Sequence, residues 1–233
     1  MNLNLQILSQ GIYFDEKRNL HVLLVQLRNG CIQKYAIKDG KFSSAPLGSY
    51  KSAEYSFCKM FLDLPRVAVH GDSEHVVKVI DLVADEVLID EIRIPESSGT
   101  LMAMGLISDT LHCGCESGEL LVYKLSYETM TYTLEKVIKV FEESFMGITI
   151  SGEYLIASSA QNVLARISLA CSSVKLSKPT GVKGVSCTTV MDNQVYAAGW
   201  DGKLRIFHLH EFETPTILTN SLFDSINCIA SAK

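Results

Sequence analysis

The sequence predicts an all-β fold built from repeated four-stranded antiparallel sheets. Three observations carry this expectation. Apolar and polar residues alternate at period two through most of the 233 residues, the mark of half-buried strands. Short polar turns, among them Asn29-Gly30, Ser117-Gly118 and Asp201-Gly202, separate the runs, and Gly in such turns supplies the positive φ a tight hairpin needs. The run–turn–run pattern also recurs five times.

The first copy is Val22–Leu27, the turn Arg28-Asn29-Gly30, then Cys31–Ile37. The second is Val67–Val69, a turn over His70–Glu74, then Val76–Leu82. The third is Leu111–Cys115, the turn Glu116-Ser117-Gly118, then Glu119–Leu125. The fourth is Leu155–Ser158, the turn Ala160-Gln161-Asn162, then Val163–Leu169. The fifth is Val195–Gly199, the turn Trp200-Asp201-Gly202, then Lys203–Leu209. A bulky residue two places before the end of each copy falls at Tyr35, Ile80, Tyr123, Ile167 and Phe207, in steps of 45, 43, 44 and 40. A buried-looking segment precedes each copy, near Ile12, Phe57, Met104, Ile148 and Val185, with a sixth near Ile226. A shorter, more polar one follows most copies, such as 45–49 or 215–218. The segment 134–143 carries apolar residues at helical spacing but also alternates, and the repeat assigns it to a strand.

Four strands per unit at this period is the pattern of WD40 propeller blades. One propeller domain is expected over 1–233, with units at about 9–52, 53–99, 100–143, 144–180 and 181–221. Partial strands are expected at 3–8 and 225–232. Such proteins usually have seven blades, so an incomplete seven-bladed ring is the expected arrangement. A closed ring of five or six blades is the alternative.

Composition narrows the function classes. Lys+Arg 21 against Asp+Glu 26 leaves a net charge of −5 without a basic cluster, so a nucleic-acid binder that neutralises phosphates is not expected. Apolar runs such as Val22–Val25 fall far short of the roughly 18 residues of a membrane span. The N-terminal residues lack a basic region followed by an apolar one, so no secretion signal is read there. Seven cysteines, an odd number at irregular spacing, read as reduced thiols in cytoplasm or nucleus.

The string Ala197-Ala198-Gly199-Trp200-Asp201-Gly202-Lys203-Leu204-Arg205-Ile206-Phe207 is more specific than a generic blade. In most WD repeats Trp-Asp ends the third strand; here it sits in the hairpin turn. The string resembles the penultimate blade of the guanine nucleotide-binding protein subunit beta-like protein 1 / ASTRA-associated protein 1 family. Tyr55-Ser56-Phe57-Cys58-Lys59 resembles that family's Phe-Cys segment, Cys113–Gly118 its Gly-x-Glu-x-Gly turn, and Gly184-Val185-Ser186-Cys187 its glycine-led strand. The resemblance is sharp over about eleven residues and spans most of the chain at blade level. It implies an adaptor in the maturation of phosphatidylinositol-3-kinase-related kinases or in ASTRA-type chromatin assemblies. The implied partners are proteins, either kinase-maturation co-chaperones or chromatin-complex subunits, with a helical-repeat protein held by rim loops. A ubiquitin-ligase substrate receptor and a G-protein beta-like signalling subunit are the generic alternatives.

No nucleophile, P-loop or zincin motif is present. Cys113 and Cys115, two apart, read as strand residues on one face, and His208 and His210 likewise share a face. Carboxylates between Asp81 and Glu91 read as a solvated rim around a hairpin. Neither an enzyme, a metal nor a cofactor is therefore expected, and a monomer is. Function on such a scaffold belongs to rim loops. Gly199, Trp200, Asp201, Gly202 and Arg205 form the candidate blade-turn motif and interface, with Gly30 and Gly118 as further turn glycines. Trp200, the one tryptophan, reads either as a packed turn residue or as an interface anchor. Arg205 reads as part of a solvated strand face.

Overall fold

The computed structural model describes residues 6–54, 56–181, 184–219, 225, 226 and 229. They form five antiparallel sheets, each a propeller blade. The first has β1 (Ile7–Asp15), β2 (Leu20–Leu27), β3 (Asn29–Lys38), the two-residue β4 (Lys41–Phe42) and β5 (Gly48–Glu54). Both β4 and β5 pair with β3, so this blade has five strands where four are expected. The second has β6 (Phe61–Asp63), β7 (Arg66–His70), β8 (Val76–Asp81) and β9 (Glu86–Arg93). The third has β10 (Leu101–Ile107), β11 (Thr110–Cys115), β12 (Glu119–Ser126) and β13 (Thr131–Lys139). The fourth has β14 (Phe145–Ser151), β15 (Tyr154–Ser159), β16 (Leu164–Ser168) and β17 (Val174–Leu176). The fifth has β18 (Val185–Met191), β19 (Gln194–Gly199), β20 (Lys203–His208) and β21 (Thr216–Thr219).

Sequential strands are neighbours in the second to fifth sheets, as hairpin connections require. One 3₁₀ turn, Glu96–Ser98, is described and no α-helix. Among the described residues no helix is long and apolar enough to cross a membrane. The segment 134–143 is strand through Lys139 and leaves the sheet after it. Of the expected strand at 3–8, residues 3–5 lie outside the described residues and Ile7 and Leu8 open β1. Most of 225–232 lies outside them too.

The chain divides into two compact units. One is Met1–Glu96 with Leu106–Leu111 and Tyr123–Leu134; the other is Ser97–Gly105 with His112–Val122 and Glu135–Lys233. In the first, Tyr13, Val22, Leu24 and Ile32 of one blade pack on Met60, Val67, Val69, Ile80 and Leu82 of the next. Period two puts those side chains on one face of each sheet. Gln26, 1% exposed, joins the same two blades. Its Nε2 donates to the Cys58 carbonyl at 3.2 Å and its Oε1 accepts from the Met60 amide at 2.7 Å. In the second unit, Phe141 and Phe145 meet edge to face at 4.9 Å. They lie in a core with Leu155, Ala157, Ala165 and Ile167. Ile156 and Leu164 of the fourth blade pack on Val185, Val195, Ala197 and Phe207 of the fifth.

Candidate functional site

The turn between β19 and β20 brings together the residues singled out above. The Gly202 amide donates to the Gly199 carbonyl at 3.2 Å, closing a four-residue turn in which Gly202 has φ 70°. The Trp200 amide donates to the Gly184 carbonyl at 3.1 Å. Gly184 has φ 83°, and a Cβ built on it would lie 2.0 Å from Cε3 of the indole. Only glycine fits there, because it alone lacks the atom that would collide and tolerates that φ. The indole thus lies against bare backbone, yet Trp200 remains 42% exposed. One side of the indole packs, as the turn reading expects, and the rest faces solvent.

Arg205 corrects an expectation. It is not on a solvated face but 2% exposed, the largest of the fully buried side chains among the described residues. Period two puts it beside Phe207 on the face of β20 that packs on the fourth blade. Its Nη1 and Nη2 donate to Asp201 Oδ1 and Oδ2 at 2.9 and 2.8 Å, and its Nε donates to the Thr180 carbonyl at 2.9 Å. The two-pronged geometry matches a planar guanidinium to a planar carboxylate. Hydrogen bonds from Arg205 hold the Asp201 carboxyl below its ordinary range despite partial burial. The Lys203 amide also donates to Asp201 Oδ1, at 3.3 Å. Thr180 is fixed in turn, its amide donating to the Asn162 carbonyl at 2.6 Å. The Trp200 turn is therefore braced to the segment that leads into its own blade and to the turn of the blade before.

The other two turn glycines occupy the same place in their blades. Gly118, at φ 79°, has its Cβ direction filled by the Phe141 carbonyl oxygen at 2.1 Å, and its own carbonyl accepts from the Val140 and Phe141 amides. Gly30 lies against the Ser52 carbonyl. Of the segment 55–59, Tyr55 lies outside the described residues. Phe57 is 63% exposed, with the Arg28 guanidinium 5.6 Å from its ring centre.

The carboxylates of 81–91 are not all a solvated rim. Asp81 Oδ1 accepts from the Val83 and Ala84 amides and shapes the β8–β9 turn. Asp85 receives Lys34 Nζ at 2.5 Å and the Tyr50 hydroxyl. Lys34 is 2% exposed, and the sequence reading passed over it. Its signal was a lysine in phase with Ile32, on the face of β3 that period two buries. Cys113 and Cys115 are both buried, whereas Cys171 is exposed. His208 and His210 have ring centres 5.8 Å apart. Among the described residues no group of three His, Cys, Asp or Glu side chains is placed to hold a metal.

No protein-family model matches the sequence. A search of curated proteins finds no match either. Solved structures do match in shape. The structure titled RRP9 WD40 repeats superposes with a TM-score of 0.71 at 11% identity, over 92% of this chain and 63% of that one. U3-55K gives 0.70 at 11%, over 92% and 64%. The computationally designed Ika8 protein gives 0.58 at 10%, over 92% and 73%. At such identities the likeness shows the fold, that of WD40-type propeller blades. The chain spans a little under two thirds of the length of the two natural proteins.

Proposed function

We propose that the chain is a non-catalytic protein-interaction scaffold whose braced Trp200 turn is a docking point. The observation that carries this reading is a large aromatic ring, 42% exposed, on a turn fixed by a buried arginine–carboxylate pair. Tryptophan and arginine dominate binding hot spots, where a rigid ring buries much area with little ordering. The WD40-type blades support the general class, because that architecture presents variable turns on a fixed frame. The string Ala197–Phe207 supports the finer reading, an adaptor for maturation of phosphatidylinositol-3-kinase-related kinases or for ASTRA-type assemblies. Cytoplasm or nucleus is the compartment proposed with it, supported by seven cysteines, an odd number at irregular spacing.

The test is recovery of partners from cells by the tagged chain, identified by mass spectrometry, beside the Trp200→Ala variant. Gel filtration first checks that both are soluble. Kinase-maturation co-chaperones or chromatin-complex subunits retained by the parent and lost by the variant support the whole reading. Other protein partners lost with Trp200 keep the scaffold and sink the adaptor role. Partners retained equally by both sink the Trp200 site.

A further inference from the structure

The outer strand of the second blade carries a feature that the Trp200 turn does not explain. β9 ends its sheet. Two irregularities interrupt its pairing with β8. From Val77↔Ile92 to Val79↔Ile89, β9 advances one residue more than its partner, and from there to Ile80↔Val87 it does so again. Extra residues in one strand re-aim side chains, and here Asp90 and Glu91, though adjacent, are both exposed. Bulges and charges on an edge also block the addition of another strand. An occupant of this edge is therefore held by side chains rather than by a backbone ladder.

Beside that edge lies an open groove of about 640 Å³, whose lining includes Val87, Leu88, Met130 and Tyr132 with the carboxylates Asp90 and Glu91. Val87 is 42% exposed and Met130 61%. Met130 sits at φ 54° in the turn before β13, a conformation uncommon outside glycine, asparagine and aspartate. It projects a flexible thioether of the kind used on adaptable binding surfaces. Tyr132 is held in place there: its hydroxyl accepts from the Arg93 amide, and the Arg93 carbonyl accepts from the Tyr123 hydroxyl.

The charge around the groove is one-sided. Lys78 is shared between Asp72 and Asp90, and Arg93 pairs with Glu91. Glu86 and Glu128, both exposed, add two further carboxylates at the ends of β9 and of the turn before β13. The two lining carboxylates are thus paired already, and the surplus negative charge is that of Glu86 and Glu128, next to and two residues from the lining residues Val87 and Met130. A second copy of this chain would bring acid against acid, whereas a cationic partner meets complementary charge.

We propose that this groove docks a short extended peptide segment of another protein, one in which lysine or arginine flanks an aliphatic residue. The aliphatic side chain lies on Val87 and Met130, and the cations pair with Glu86 and Glu128. Charge pairing of this exposed kind weakens as salt screens it.

The test uses the full chain and a fluorescein-labelled probe, Lys-Arg-Leu-Lys-Met-Arg, read by anisotropy at low and moderate salt. Its counterpart carries glutamate at every basic position. Saturable binding that weakens with salt is expected. Met130→Lys and Val87→Ser should each reduce affinity tenfold or more, while Ile217→Ser, on an exposed residue of another blade, should leave it unchanged. Circular dichroism checks that each variant is folded. Absence of saturable binding up to about 1 mM probe, a dissociation constant at the edge of specific recognition, overturns the proposal. So do equal binding of the acidic probe and indifference to both groove substitutions.

Discussion

Removing the Asp201 carboxylate should destabilise the protein more than removing its partner. In Asp201→Ala the Arg205 guanidinium stays 2% exposed and keeps only its bond to the Thr180 carbonyl. Stranding a buried charge this way costs about 3–5 kcal/mol. Asp201 is itself 25% exposed, so water entering the vacated site holds the loss near the lower bound, about 3 kcal/mol. For a chain of 233 residues that is a fall in Tm of roughly 6–12 °C. Arg205→Met instead puts an apolar chain among apolar neighbours and leaves a carboxylate that water can reach, so about 1 kcal/mol is expected. The double variant should resemble Arg205→Met, giving a coupling of about 3 kcal/mol in magnitude in the cycle. The assay is urea unfolding of all four proteins, with the slope compared to check for one transition. The folded-state pKa of Asp201 is lowered by Arg205. Its contribution is thus complete above the unfolded carboxyl range near pH 4 and is lost as pH falls further. Asp201→Asn should remove that part of the acid limb. Additive single losses, or an Asp201→Ala loss under about 0.5 kcal/mol, would refute the reasoning.

Three further outcomes follow from the same geometry. Gly184→Ala puts a methyl group into the Trp200 ring at a positive φ; it should lower stability by about 2 kcal/mol or more and red-shift the emission of the one tryptophan. His112 is 5% exposed, and burial lowers its pKa from 6.5 to about 4. The neutral form is the folded one, so its contribution is complete above pH 6.5 and is lost between about 6.5 and 4. The integrated effect reaches about 3 kcal/mol, and His112→Asn should flatten Tm against pH in that window. Lys34→Met should be close to neutral in urea unfolding, because a well-packed apolar chain replaces a desolvated cation. Asp85→Ala, which strands Lys34, should cost about 2 kcal/mol, reduced from the buried-pair range by the 43% exposure of Asp85.

Local pattern and long-range pairing divide the molecule between what the sequence discloses and what it withholds. The hairpin of β2 and β3 is readable because alternation and Asn29-Gly30 act within a few residues of each other. The same holds for β11–β12 around Ser117-Gly118 and for β19–β20 around Asp201-Gly202. The extra residues in β9 are not readable, since Leu88, Asp90 and Glu91 look like ordinary members of a strand until β8 is laid beside them. Buried Arg205 escapes for a similar reason: its acceptor on Thr180 is 25 residues away. Gln26 bonds to Cys58 and Met60 of the next blade, more than 30 residues on. The place of Trp200 in a turn was legible. That it rests on Gly184 was not, although the glycine leading that blade stands out as the signal.

Folding and recognition use different atoms of the Trp200 turn. The brace consists of the Gly199 and Gly202 backbone, the Asp201 carboxylate, the Arg205 guanidinium and the Thr180 carbonyl, and the Trp200 amide adds one bond. None of these involves the indole. A different side chain at position 200 would leave the turn standing and the surface over Gly184 bare. The turn therefore behaves as a socket, in which the presented ring can be changed by design while the frame beneath it keeps its shape.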